Sequence, residues 1–211
     1  MNIERLKKIQ FELAKKVKLE DKYRIGDIEY VVGVDQAFIG DFIISAAVLL
    51  TFPDLNEVRK EYRVEETSFP YIPSFLMFRE GDPAVRVVKR ILEPRSLILV
   101  DGSGIAHPRR CGLATYIAIK TGEPSVGVTK KKLYGSVDHE GGLTVLKDNS
   151  EIIGYVLKSC KRCKPIYISP GNYISPKSAL VAVKMCLRGH KLPEPIRLAH
   201  VYANYVKREL I

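Results

Sequence analysis

Two short, β-branched apolar runs that each end in an aspartate constrain the fold of this chain most strongly. Residues 30–34 precede Asp35, and residues 97–100 precede Asp101. Runs of this length and composition predict strands that are buried on both faces. A charged carboxylate at the end of such a strand is costly to bury unless a cation meets it. With Glu80 as a third carboxylate nearby, the two strand ends predict an oxygen-ligand site for Mg²⁺.

The order of the predicted strands indicates how the sheet is built. Three strand candidates with short links predict an antiparallel meander, and they lie at about 28–36, 42–52 and 57–66. The next part of the chain alternates strand, helix and strand, at 97–101, about 111–120 and 125–128. That alternation predicts two parallel strands joined by a crossover helix.

The remaining patterns complete the predicted architecture. Further helices are expected at 3–19, 83–92 and 176–188, further strands at 151–157 and 165–169, and a turn-rich stretch beyond Lys130. We therefore expect an α/β, ribonuclease H-like fold in a single domain over residues 1–211. It should have a mixed central sheet of three antiparallel meander strands followed by parallel strands, flanked by helices.

Positive charge is concentrated in the second half of the chain. Residues 1–100 hold 16 Lys and Arg against 16 Asp and Glu, whereas residues 101–211 hold 18 against 8, so the whole net charge of +10 lies there. Such asymmetry indicates a surface that faces a polyanion, and we expect the second half to follow the phosphates of a nucleic acid. A Lys-rich composition is also common in thermophile proteins, so charge alone does not decide the partner.

The distribution of apolar residues argues against a membrane protein. No apolar stretch approaches the roughly 18–20 residues that span a bilayer. The first residues lack the apolar core of a signal peptide. We expect a cytoplasmic, monomeric protein.

Cys160 and Cys163 have the spacing of a metal knuckle, but no second pair or histidine cluster completes a tetrahedral site. A redox-active pair of this spacing usually opens a helix, whereas this pair precedes the strand-like segment 165–168. We therefore expect reduced, structural thiols.

Several longer motifs resemble one known family. They are PYIPxFLxFRE at 70–80, DGxGIAHPRRxGLA at 101–114, GVD at 33–35, PSVGVxK at 124–130, SPG at 169–171 with SAL at 178–180, and LPEPxRxA at 192–199. In this order, and with these residue combinations, they resemble the endonuclease V family of deoxyinosine-directed repair nucleases. The resemblance covers nearly the whole chain and implies a ribonuclease H-like fold.

The resemblance implies a catalytic role for five residues. Asp35 and Asp101 would bind the metal, Mg²⁺ with Mn²⁺ as a substitute, and Glu80 would be the third catalytic carboxylate. Lys130 would contact the scissile phosphate. The alternative is that Lys130 is only one member of a solvated run of lysines. His107 would lie near the metal or the substrate backbone, the alternative being a histidine that packs a loop.

The resemblance also implies how the substrate is recognised. Tyr71 would act as a wedge where the lesion base leaves the stack, since the prolines around it stiffen the segment. Gly102, Gly104 and Gly171 would shape the pocket for the extruded hypoxanthine.

Two positions depart from the family pattern. Ser103 stands where many relatives have histidine. Asn172 stands where bacterial relatives typically have histidine, at a position expected near the metal. Asparagine can bind a hard cation through its amide oxygen but cannot act as a base. The departures therefore bear on rate, metal preference or pH profile.

The implied reaction is hydrolysis of the second phosphodiester bond 3′ to a deoxyinosine, leaving 5′-phosphate and 3′-hydroxyl ends. One alternative is the same chemistry on inosine in RNA, because the need for a 2′-hydroxyl cannot be inferred from these residues. Another alternative is a catalytically silent nucleic-acid-binding relative. The intact Asp35, Glu80 and Asp101 argue against that alternative.

Overall fold

A computed structural model describes residues 2–211. Within these residues the helices are α1 (Ile3–Ala14), α2 (Leu76–Ile91), α3 (Leu113–Thr121), α4 (Pro176–Met185) and α5 (Glu194–Glu209). The strands are β1 (Tyr30–Ile39), β2 (Phe42–Thr51), β3 (Glu57–Glu66), β4 (Ser96–Asp101), β5 (Ser125–Thr129), β6 (Ser136–Glu140), β7 (Leu143–Asp148), β8 (Glu151–Leu157) and β9 (Ile166–Asn172). A short 3₁₀ turn at Ile25–Asp27 precedes β1.

All nine strands form one mixed sheet in the order β3-β2-β1-β4-β5-β9-β8-β7-β6. The first three strands pair antiparallel, as predicted for the meander. Strands β4 and β5 run parallel to β1, with α2 and α3 as the crossover helices. The predicted ribonuclease H-like architecture is confirmed, and the last four strands extend it on the β5 side.

The central strands are apolar on both faces because helices cover both. On one face, Val31, Leu97 and Leu99 pack with residues of α4 and α5. On the other face, Val32 and Val34 pack with α2 and α3. This two-sided burial explains why the runs before Asp35 and Asp101 lack polar alternation.

Helix α2 starts seven residues earlier than predicted. Its Pro83 lies inside the helix, although proline removes the hydrogen bond to the carbonyl four residues back. That carbonyl belongs to Arg79, and the Thr67 hydroxyl donates to it at 3.4 Å instead. Glu80 therefore projects from a helix and not from a loop.

Strands β6 and β7 and helix α5 were not predicted. The stretch beyond Lys130 contains the hairpin of β6 and β7, and the last matched motif opens α5. Strand β6 is exposed along its whole length, so its sequence lacks the apolar alternation by which a strand is recognised.

The prediction that Cys160 and Cys163 are reduced is wrong, because the structure joins them in a disulfide. A tight turn, closed by the Cys163 N–H donating to the Cys160 carbonyl at 3.2 Å, brings their Cα atoms to 5.2 Å. That separation lies within the range that a disulfide spans. Cys111 and Cys186 are free and buried.

Among residues 2–211, every helix is too short or too polar to cross a lipid bilayer.

At Gly33, the backbone of β1 lies very close to the backbone of α5. A Cβ atom built on Gly33 would lie 1.9 Å from the Pro195 carbonyl oxygen, a backbone atom that cannot rotate away. Helix α5 therefore rests directly on β1, two residues before Asp35.

We expect Gly33→Ala to push α5 off the sheet. Overpacking of a rigid core typically costs about 1–3 kcal/mol, so the free energy of unfolding in a denaturant titration should fall by at least that amount. Gly26→Ala is the matched control, since nothing lies within 4 Å of a Cβ built there. A Gly33→Ala protein as stable as the control would contradict the close contact.

Candidate active site

The register of β1 and β4 brings two carboxylates side by side. Val34 lies opposite Val100 in this parallel pair, so Asp35 and Asp101, one residue further along each strand, are neighbours. Asp35 is only 7% exposed. Because like charges at close range repel each other, this arrangement is electrostatically unfavourable unless a cation lies beside it.

Asp35 is held by two donors and its charge is disfavoured by its surroundings. The Gln36 N–H donates to Oδ1 at 2.8 Å, and His200 Nδ1 donates to Oδ2 at 2.6 Å. Burial, followed by the repulsion of Asp101, raises the pKa of Asp35 to about 6. His200 was missed in the sequence, where the motif ended at Ala199 just before it. Only the packing of α5 on β1 assigns it to the site.

Glu80 approaches the same pair from α2. Its side chain is buried, and its carboxylate has no hydrogen-bond donor among residues 2–211. Burial, then the charges of Asp35 and Asp101, raise the pKa of Glu80 to about 8. A buried carboxylate without a donor is unfavourable unless it is protonated or meets a cation.

Lys130 is the cation closest to Asp101. It follows β5, the strand that pairs with β4, and its Nζ lies 2.8 Å from Asp101 Oδ2. Burial lowers the pKa of Lys130, but the hydrogen bond and charge of Asp101 outweigh it, so the net shift is upward. The ion pair places Lys130 beside the carboxylates; its contact with a scissile phosphate stays a prediction.

The donor set suits a hard cation that completes its shell with water. No group of three or more His, Cys, Asp or Glu side chains within residues 2–211 forms a ready-made metal cage. Mg²⁺ typically uses only one or two carboxylates and keeps several waters, and Asp35 and Asp101 supply such a pair. A cation there would also relieve the repulsion that raises the pKa values of Asp35 and Glu80. The residues therefore fit Mg²⁺.

His107 is turned toward a loop and not toward the carboxylates. It is 2% exposed; its Nε2 donates to the Ser74 carbonyl at 2.8 Å, and its Nδ1 accepts the Arg109 N–H at 3.1 Å. Burial lowers the pKa of His107 to about 4, so its ring is neutral. Both ring nitrogens are occupied, which favours the loop-packing alternative over direct catalysis.

Ser74 is the focus of a set of contacts that we call the Ser74 clamp, formed by His107, Gln10 and Arg109. The Ser74 carbonyl also accepts from Gln10 Nε2 at 3.0 Å and from an Arg109 terminal nitrogen at 2.8 Å. Arg109 Nε in turn donates to Gln10 Oε1 at 2.5 Å. Ser74 has a φ of 66°, a conformation that non-glycine residues rarely adopt without such support. The clamp fixes the end of the segment that carries Tyr71.

A cavity of about 480 Å³ opens beside Asp101, between the Tyr71 segment and the loop after β4. Tyr71 lies at its rim and is 68% exposed, with no hydrogen-bond partner among residues 2–211. Gly102 and Ser103 line its wall, and the Ser103 hydroxyl donates to the Ala106 carbonyl at 2.6 Å.

The other two predicted substrate-binding glycines serve backbone packing. A Cβ on Gly104 would lie 2.1 Å from the Pro170 carbonyl oxygen, and one on Gly171 would lie 2.0 Å from Ser125 Oγ. Neither residue lines the cavity. They hold the loop after β4 against β9 and β5, and so support the cavity wall indirectly.

Asn172 does not lie beside the carboxylates, contrary to expectation. It pairs with Ser125 at the start of β5, whereas Asp101 pairs with Val128 three residues further on. Its Oδ1 accepts from the Lys18 N–H at 2.7 Å, which ties the segment after α1 to β9. A tertiary contact with a distant segment therefore explains this side chain.

Comparison with known proteins agrees with the motifs. The Endonuclease V family model matches residues 11–201. The chain is 62% identical to Endonuclease V of Archaeoglobus fulgidus over 211 residues, which is 100% of this chain and 96% of the relative. The chain belongs to the Endonuclease V family.

Solved Endonuclease V structures share the fold along its whole length. Endonuclease V of Streptomyces avermitilis matches with a TM-score of 0.89 at 30% identity, covering 99% of this chain and 94% of that one. A variant of Endonuclease V of Ciona intestinalis, in complex with a 23mer DNA containing an inosine followed by a ribo-adenosine, matches with a TM-score of 0.86 at 25% identity, covering 99% and 98%. The nine-stranded architecture is thus that of Endonuclease V.

The buried acids make the stability of the metal-free protein depend on pH. Glu80 has a folded pKa of about 8 against an ordinary 4.5, so the stability it contributes is fully present below about pH 4.5 and is lost as the pH rises through 8. Asp35 likewise contributes stability that is lost as the pH rises from 3.8, its ordinary pKa, through about 6, its pKa in the folded protein.

We therefore expect Glu80→Gln to stabilise the metal-free protein, and more at pH 8 than at pH 5. Denaturant titrations in the presence of EDTA would measure the free energy of unfolding at both values. Glu65→Gln is the control, because Arg86 lowers the pKa of Glu65 and both pH values lie on its charged side. An equal gain at pH 5 and pH 8 for Glu80→Gln would show that its pKa is not raised.

Proposed function

We propose that this protein is a Mg²⁺-dependent endonuclease that hydrolyses the second phosphodiester bond 3′ to a deoxyinosine, leaving 5′-phosphate and 3′-hydroxyl ends. The observation that carries the proposal is the Asp35–Asp101 pair on adjacent strands, with the buried Glu80 carboxylate beside it. The inosine in the DNA bound by the Ciona intestinalis relative supports the choice of lesion.

Asp35 and Asp101 would hold the Mg²⁺, with Mn²⁺ as a substitute. When bound, the ion supplies Lewis-acid polarisation of the phosphate and neutralises developing charge. His200 keeps Asp35 oriented through its 2.6 Å hydrogen bond. Glu80, whose oxygens have no donor within residues 2–211, is free to orient a water molecule at the scissile phosphate.

Lys130 would contact the scissile phosphate as a point charge. Its ammonium lies against Asp101 and lines the cavity, so it can exchange the carboxylate for a phosphate oxygen with little movement. Lys131 and Lys132 line the same cavity and add positive charge beside it. Lysine there would favour substrate approach as well as turnover.

The cavity beside Asp101 would receive the extruded base. Its volume of about 480 Å³ lies within the usual range for small-ligand sites, which is about 300–1,000 Å³. Tyr71 at the rim would fill the gap that the base leaves in the stack. In this scheme His107 is a positioning residue, since it holds Ser74 and not the substrate.

RNA is the second candidate substrate. The oligonucleotide in the Ciona intestinalis complex has a ribo-adenosine after its inosine, so that relative accommodates a 2′-hydroxyl next to the lesion. The test is a nicking assay on four matched oligonucleotides carrying one inosine: DNA, RNA, DNA with one ribonucleotide 3′ to the inosine, and single-stranded DNA. If only the RNA oligonucleotide is cleaved, RNA replaces DNA as the proposed substrate. If the protein binds the oligonucleotides but cleaves none of them with any divalent metal, it is a catalytically silent relative.

We expect Asp101→Asn to lower the Mg²⁺-dependent cleavage rate by roughly 1000-fold, because losing a metal ligand removes several kcal/mol of charge stabilisation. Binding to inosine DNA should survive, since phosphate contacts dominate affinity. Ca²⁺ should support binding without turnover in the unsubstituted protein. Asp54→Asn, at an exposed turn, is the control. Near-normal cleavage by Asp101→Asn would refute the metal assignment.

Tyr71→Ala should lower selectivity for inosine in duplex DNA by about 1–3 kcal/mol, the typical value of one base–aromatic stack. Tyr71→Phe should keep most of this selectivity, because its aromatic ring still fills the gap that the base leaves in the stack. The defect should shrink on single-stranded substrate, where little stacking must be broken. Tyr205→Ala, a half-exposed tyrosine on α5, is the control. Equal losses on both substrates would leave Tyr71 without a wedge role.

A further inference from the structure

The loop between β8 and β9 carries positive charge that nothing within residues 2–211 neutralises. This basic loop, residues 158–164, exposes four cationic side chains: Lys158, Lys161, Arg162 and Lys164. None of the four forms an ion pair or a side-chain hydrogen bond within the described part of the chain. Arg110, by contrast, pairs with both Asp148 and Glu151. Clustered like charges repel one another, so an external anion would stabilise this loop.

The basic loop leaves the sheet next to the candidate active site. Leu157, at the end of β8, pairs with Ile166 of β9, and the following residue, Tyr167, pairs with Thr129. Thr129 directly precedes Lys130. Since neighbouring strands lie about 4.8 Å apart, the chain enters the loop roughly 10 Å from the strand end that carries Lys130.

That distance matches a nucleic acid strand. Successive phosphates of one strand rise by about 3.4 Å along the duplex axis. Their through-space separation is larger, because the backbone also winds around that axis, so about 10 Å spans no more than a few nucleotides. Lys131 and Lys132, which are exposed, lie just beyond Lys130 and add to the positive charge at this edge of the sheet. A backbone whose scissile phosphate lies at Lys130 would therefore meet the basic loop within a few nucleotides.

The loop is also held in one shape. The Cys160–Cys163 disulfide closes its tip, and the Ser159 hydroxyl donates to the Lys191 carbonyl at 2.6 Å at its base. A closed loop loses less conformational freedom when it binds than an open one does. The covalent closure thus presents Lys161 and Arg162, the two residues between the cysteines, at fixed positions.

We propose that the basic loop is a lesion-independent phosphate-binding element, held in its binding shape by the Cys160–Cys163 disulfide, that binds the nucleic acid backbone within a few nucleotides of the bond to be cleaved. The placement relative to the scissile bond rests on the proposed function. The affinity of the loop for a phosphate backbone does not.

The test neutralises the two cations between the cysteines. Lys161→Gln/Arg162→Gln is compared with Lys89→Gln/Arg90→Gln, which removes two exposed cations at the end of α2, near the opposite edge of the sheet. Affinity for an undamaged duplex is measured from low to high salt. The salt slope is the steepness with which log affinity falls as log salt concentration rises. Each lost phosphate contact lowers it by about 0.9. This corresponds to an about 8-fold loss of affinity at 0.1 M salt, relative to 1 M.

We expect the loop variant to bind 10- to 60-fold more weakly at 0.1 M salt, to about the same extent on inosine and undamaged duplexes, with a salt slope smaller by about 1–2. The α2 control should bind like the unsubstituted protein. Single-turnover cleavage at saturating enzyme should be unchanged, since the loop does not touch the carboxylates. An unchanged affinity and salt slope in the loop variant would overturn the proposal.

The disulfide is tested separately. A dithiol reductant such as dithiothreitol converts Cys160–Cys163 to two thiols and is itself oxidised to a cyclic disulfide. Reduction should weaken duplex binding without changing the salt slope, because the cations remain. Cys160→Ser/Cys163→Ser should bind like the reduced protein and be insensitive to dithiol. Equal affinity of oxidised and reduced protein would show that the disulfide does not hold the binding shape.

The experiments give different results if the loop proposal is wrong than if the proposed function is wrong. If the unsubstituted protein cleaves inosine oligonucleotides but the loop variant binds duplexes normally, only the loop proposal fails. If no inosine substrate is cleaved but the loop variant still loses duplex affinity and salt slope, the loop remains a phosphate-binding element and the proposed reaction is wrong.

Discussion

The parallel pairing of β1 with β4 is the constraint on which the rest of the site depends. Placing Val34 opposite Val100 puts Asp35 and Asp101 next to each other at the end of two strands that are buried on both faces. Burial and mutual repulsion then raise the pKa of Asp35, and Glu80 on α2 adds a third carboxylate. The surrounding fold must stabilise an arrangement that is electrostatically unfavourable by itself.

The fold meets this requirement with contacts from both sides of the sheet. On one face, α5 rests on Gly33 so closely that His200 reaches Asp35. On the other face, α2 carries Glu80 because the helix tolerates Pro83. From the sheet itself, Lys130 follows β5 and neutralises Asp101. Each contact depends on a backbone position that a small change in helix packing would disturb.

The Ser74 clamp extends the same rigidity to the recognition segment. Three side chains donate to one carbonyl, and they come from α1 and from the loop after β4. Because the Ser74 backbone is in a rarely adopted conformation, the clamp determines how Tyr71 is presented at the cavity. The basic loop, with its own disulfide, places charge at the other side of Lys130. Rigid elements therefore border the carboxylates on both sides.

The strands of the meander, the parallel pair and the positions of Asp35, Asp101 and Lys130 at or just beyond strand ends were predictable from the amino-acid sequence, because local apolar runs and motif spacing encode them. The motifs also identified the family. It took the folded chain to show that Glu80 lies on a helix, that His200 contacts Asp35, that Gln10 and Arg109 meet at Ser74, and that His107 packs a loop. The hydrogen-bonded partners are far apart in the chain: His200 and Asp35 differ by 165 in residue number, and Arg109 and Gln10 differ by 99. No local pattern encodes such contacts, since they exist only once helices dock on the sheet and bring distant segments within hydrogen-bond distance.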